Sequence, residues 1–96
     1  MNTITTTIKR EWLREIIAGR KTVEHRVIKP YWDRQLARVE TPFQIRLING
    51  MAAKAPAVTA VVRRVRKNTR TGNYDLHLGE ILKVKNWDRR GERPRS

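Results

Sequence analysis

Ninety-six residues without a cysteine make one domain that has neither a disulfide staple nor a thiolate metal site. Twenty-two lysines and arginines against nine aspartates and glutamates leave a net charge of +13, above the magnitude of about 2–8 that solubility asks of a small domain. A field of that sign draws polyanions, so RNA, DNA or a nucleotide-like ligand is the expected partner. A membrane is set aside, because the chain has no long basic amphipathic helix and no apolar run near the ~20 residues of a span. Met1–Thr7 lacks the basic-then-apolar order of a secretory signal. With no cysteine to oxidise, the expected compartment is the cytoplasm and the expected state a monomer.

In chain order, the β-branched Thr3–Thr7 reads as a first strand. Ile8, Trp12, Leu13, Ile16 and Ile17 recur at helical spacing, predicting a helix over 8–18 with Thr7 as N-cap, Gly19 as the left-handed stop and Trp12 in the core. Residues 22–28 alternate as a strand. Pro30 starts a second, short helix whose inward residues are expected to be Tyr31, Leu36 and Val39. Phe43–Ile48 is a strand with Phe43, Ile45 and Leu47 on one face, ended by Asn49-Gly50. Residues 57–66 form a longer strand with Val58, Ala60 and Val62 on one face and Val61 and Val65 on the other, which suggests a central or barrel position, and 67–73 a polar hairpin tip. Residues 74–82 give the next strand and 83–87 a possible last one, before a charged, Pro94-containing tail over 89–96 that is expected to be disordered.

Five or six short strands with two helices give an α+β domain over residues 1–88. Closing the sheet into a small mixed barrel covers its edges with the little helix available.

The chemistry concentrates in Gly19–Arg26. Lys21 follows the helix stop, and Glu24 and Arg26 share one face of the next strand, which also holds Thr22. A lysine anchors an anion or moves a proton, a glutamate accepts base-edge amino protons, and an arginine forks onto phosphate. The plain alternative is a surface ion pair worth about 0–1 kcal/mol. A second basic group, Arg63, Arg64, Arg66, Lys67 and Arg70, suits several phosphates, and the tail arginines suit a flexible electrostatic arm. Among the aromatics, Tyr31, Trp32 and Trp87 are candidates for stacking on a base, with Trp32 carried forward as a nucleic-acid contact. Two histidines in unrelated settings make no zinc site, no cofactor is implied, and the only serine is Ser96.

The amphipathic helix, the Gly-x-Lys-x-x-Glu-x-Arg element (Gly19, Lys21, Glu24, Arg26), the strand ending in Asn49-Gly50 and the late Leu76-His77-Leu78-Gly79 resemble the ASCH domain over residues 3–88. That resemblance implies a PUA-like barrel associated with RNA, with a cleft at Lys21, Thr22, Glu24 and Arg26 for RNA or a modified nucleoside. Some small members of the superfamily are similar to amidohydrolases acting on N4-acetylcytidine, with a threonine nucleophile where Glu24 stands here. Thr22 lies about 7 Å away along the strand. Others are similar to ribonucleases, for which Lys21 and Glu24 make a minimal acid–base pair. The expectations are therefore a binding module, a small hydrolase using Lys21 and Glu24, or a basic protein for an acidic protein partner.

Overall fold

The structure is a computed structural model that describes residues 1–95. Strict alternation builds its sheet. In β3 (Phe43–Ile48) the side chains of Phe43, Ile45 and Leu47 are buried and their neighbours half-buried, and Val58, Ala60 and Val62 do the same at the start of β4 (Ala57–Asn68). Tyr74, Leu76 and Leu78 supply the matching inward row of β5 (Asn73–Lys85). Burying one row per strand gives a single core, to which β1 (Thr3–Thr7) adds Ile4.

With β2 (Val23–Val27) the five strands order as β1-β3-β4-β5-β2. β1 runs parallel to β3 and the other pairings are antiparallel. The register of β4 against β5 shifts three times between Thr59 and Arg64, and bulges of this kind bend a strand and raise its twist. Gly79 lies in that region, and a Cβ there would meet the Arg63 side chain at 2.8 Å. The sheet curls into a half-barrel, so the domain is α+β and barrel-like, as expected. Its two edge strands end within one side chain of each other: the Arg26 guanidinium of β2 donates to the Thr7 carbonyl of β1 at 2.8 Å.

Helix α1 (Arg10–Ile17) sends Leu13, Ile16 and Ile17 into the core. Its end is a Schellman turn, with Gly19 at φ +81°, the Gly19 N–H bonded to the Ile16 carbonyl and the Arg20 N–H to the Glu15 carbonyl. The N-cap is Lys9 rather than the expected Thr7, because Thr7 remains in β1. Trp12, expected in the core, is 46% exposed. It stands on the flank of the 13–16–17 stripe, about 100° round the helix from Leu13.

Helix α2 (Pro30–Ala37) begins with Pro30 in its first turn. Its inward row is Trp32, Leu36 and Val39, at i, i+4 and i+7, with Trp32 2% exposed. Tyr31, expected inward, is exposed and meets Trp32 edge-on at 5.5 Å. The Tyr74 hydroxyl donates to the Asp33 carboxylate, tying α2 to β5.

The stretch expected as two strands, 74–82 and 83–87, is one 13-residue strand. Residues 86–95 beyond it form a small hairpin where a disordered tail over 89–96 was expected; Ser96 lies outside the described residues. β6 (Trp87–Asp88) pairs with β7 (Arg93–Pro94), and the Asp88 carboxylate accepts from the Arg90 and Gly91 N–H groups in the turn between them. Trp87, 3% exposed within the core, is the anchor, and Glu92 pairs with Arg20 at the end of α1. Composition reports the charges of this segment but not the one buried indole that holds it. No helix among the described residues is long and apolar enough to cross a membrane.

Candidate functional site

The Schellman turn delivers Lys21 beside the start of β2, and the strand's period of two puts Glu24 and Arg26 on its inner face. Glu24, 5% exposed, is the one buried charged residue among those described. Its carboxylate is held from both sides. Oε1 lies 3.5 Å from Lys21 Nζ, while Oε2 accepts from Arg26 Nε at 2.8 Å and Nη2 at 2.6 Å. The arginine side-on pair is charge-assisted and fixes the guanidinium plane. Arg26 then reaches across the seam to the Thr7 carbonyl and, more loosely, to Thr6 Oγ1 at 3.5 Å. Glu24 thus aims the cation that bridges the two sheet edges.

Lys21 Nζ donates to the Val23 carbonyl at 2.6 Å and lies 5.4 Å from the Trp12 ring centre, while Arg26 sits 5.4 Å from the Trp32 ring. Each cation is therefore backed by an indole face.

A cleft of about 730 Å³ opens at this seam. Lys21, Glu24 and Arg26 all line it, so the three residues singled out in the sequence converge in one concavity. Thr22 does not: it precedes the strand, is exposed, and its carbonyl is taken up by the Leu78 N–H. Trp32 borders the cleft, but at 2% exposure its ring is given over to the core and to Arg26, so it presents no open face to a base. The exposed indole on the cleft wall is that of Trp12, half-exposed beside Lys21.

Lys9, Lys29 and Asn49 also line the cleft. Asn49 ties the site to the barrel, donating to the Ile8 carbonyl at 3.0 Å and accepting from Arg10 Nε at 3.0 Å. Lys9 and Lys29 are the N-caps of α1 and α2, and neither helix start has a side-chain cap. Two helix N-termini, each with its partial positive charge and first-turn N–H groups, thus border the same opening. The cleft holds four cationic side chains, Lys9, Lys21, Arg26 and Lys29, against the single carboxylate of Glu24. The sequence carries a trace of this: a lysine stands at each helix start where Ser, Thr or Asp is the usual cap.

The second basic group is divided between the two faces of the sheet and the hairpin tip. Register places Arg64 opposite His77 and Arg66 opposite Asp75, on the outer face of the sheet. Lys67 points inward, 5.8 Å from the Tyr74 ring. Arg70 lies at the β4–β5 tip, where the Gly72 carbonyl accepts from the Ile28 N–H, near the Val27–Lys29 end of the cleft. None of Arg63, Arg64, Arg66, Lys67 and Arg70 lines the cleft itself.

On the outer face the Asp75 carboxylate is held below the usual aspartate range, first by its hydrogen bond to His25 Nδ1 at 2.8 Å and then by Asn68. The Tyr74 phenol is pushed up, chiefly by its hydrogen bond to Asp33. The tail arginines Arg89, Arg90 and Arg95 rim a separate open hollow of about 500 Å³ against Trp87. No protein-family model matches the sequence, and no curated protein matches it.

Proposed function

We propose that the protein is an ASCH-like RNA-binding module that takes one nucleotide or modified nucleoside of a single strand into the seam cleft. The observation that carries this reading is the cationic lining of the cleft, with two uncapped helix starts, around the buried Lys21–Glu24–Arg26 cluster. Helix N-termini and lysines favour the phosphate, and Trp12 offers a half-exposed ring for the base, a contact worth about 1–3 kcal/mol. Arg70 at the hairpin tip is placed to guide the strand as it leaves by the Lys29 end.

A small hydrolase using Lys21 and Glu24 is the second reading, favoured by their 3.5 Å approach inside a cleft. Both Glu24 oxygens face protein cations, however, which suits anchoring those cations better than drawing a proton from a substrate. The test is fluorescence anisotropy with a short labelled single-stranded RNA at low salt, alongside a product assay on the same RNA and on N4-acetylcytidine. Binding that falls about tenfold or more in Trp12→Ala and Lys21→Ala, without turnover by the wild type, is expected of a binding module. Turnover lost in Glu24→Gln while affinity persists would establish the enzyme instead, and no binding to any RNA would end the RNA reading.

A further inference from the structure

The outer face of β4 and its neighbours gathers cations that the cleft does not use. Arg46, Thr59 and Lys83 stand in one cross-strand row over β3, β4 and β5, with Lys85 beside Ala57 in the next. Together they line a hollow of about 180 Å³ that contains three cations, a hydroxyl and no carboxylate. Further along β4, Arg64 and Arg66 present to the same face, and Arg63 lies flat over Gly79, where only the missing Cβ leaves room for it.

None of Arg46, Arg63, Arg64, Arg66, Lys83 and Lys85 is paired with a carboxylate among the described residues. Asp75, opposite Arg66 and acting on it through space, is hydrogen-bonded to His25 and Asn68, and Glu80 stands exposed in the bulged stretch of β5. Like charges gathered this way repel one another, a cost that a bound polyanion reverses.

From Ala57 to Arg66 the strand runs about 30 Å, close to the ~34 Å of one double-helical turn. The row contains no Phe, Tyr or Trp, because Phe43, Tyr74 and Trp87 are all buried. Unpaired bases are held by stacking, so this face suits phosphates alone. β4 is the middle strand of the sheet, whereas the cleft lies where the edge strands β1 and β2 meet. The Arg46–Lys83–Lys85 hollow therefore lies away from the cleft, and the two surfaces approach only at His25, which lines the cleft and bonds Asp75 beside Arg66.

We propose that the outer face of β4, with the Arg46–Thr59–Lys83–Lys85 hollow as its phosphate seat, is a second surface that binds the backbone of a nucleic-acid double helix. It is separate from the cleft and does not depend on what the cleft binds.

The experiment is anisotropy of a labelled duplex of ~12 base pairs, just over one turn, titrated at several salt concentrations. The wild type is compared with a hollow variant (Arg46→Gln, Lys83→Gln, Lys85→Gln) and with a control losing equal charge elsewhere (Arg34→Gln, Arg38→Gln, Lys54→Gln), each checked for folding by its thermal melt. The hollow variant is expected to lose about 2–3 from the slope of log affinity against log salt and the control less than about 1. Should the hollow variant fail to fold, Arg64→Gln with Arg66→Gln is expected to lose about 2. Equal losses in face and control variants, or no duplex binding by the wild type, would overturn the proposal. A labelled RNA trimer measured in parallel separates the two sites: its affinity is expected to survive the hollow variant and fall in Trp12→Ala.

Discussion

Glu24 is the residue on which both the barrel and the cleft turn. Its carboxylate compensates two cations that are themselves mostly covered, Lys21 and Arg26. Removing it leaves both unpaired, so Glu24→Ala is expected to destabilise the fold by about 3 kcal/mol in urea denaturation. Glu24→Gln, which keeps an acceptor for Arg26, should cost less. Arg26→Ala is expected to free the β1 edge, with faster hydrogen exchange near Thr7, because it removes the side chain that crosses the seam. At Asp75 the effect is one of pH. Its carboxyl titrates lower in the fold than in the unfolded chain, chiefly through His25. The stabilisation is thus fully present above the ordinary aspartate range of about 4 and is lost as pH falls through the lowered value. An NMR titration should show the low value directly, and His25→Ala should move it up.

At the scale of elements, the strongest periodic signals survived and the flanks of each pattern misled. Phe43, Ile45 and Leu47 alternate cleanly, and Pro30 and Gly19 mark helix boundaries by backbone chemistry alone. Gly19→Ala, at φ +81°, is accordingly expected to cost about 1 kcal/mol. Trp12 and Tyr31 were expected inward because apolar residues crowd one side of each helix. Eight-residue helices have room for only one narrow stripe, and sequence alone does not say which edge of the apolar arc the core takes. The C-terminal hairpin was illegible for a different reason: its stability rests on Trp87, a single residue among charges. Trp87→Ala is expected to destabilise the protein by about 3–5 kcal/mol and to speed exchange of the Arg95 N–H, which bonds the Asn86 carbonyl. A tail independent of the core would show neither change.

For the whole molecule, Lys21, Glu24 and Arg26 were legible as a site because a turn and a two-residue period bring them together locally. Trp12, Lys9, Lys29 and Asn49 were not, because the curl of the sheet, rather than sequence distance, places β1, α1 and α2 around them. The net charge of +13 likewise says nothing of how the cations divide between a seam cleft and an outer sheet face. The most direct test of the cleft is an amide chemical-shift map of the protein titrated with a short single-stranded RNA at low salt. If the cleft seats the strand, the largest shifts cluster at Thr7–Lys9, the Trp12 indole, Lys21–Val27 and Lys29. Shifts absent, or confined to the outer face of β4 and the tail, would contradict it.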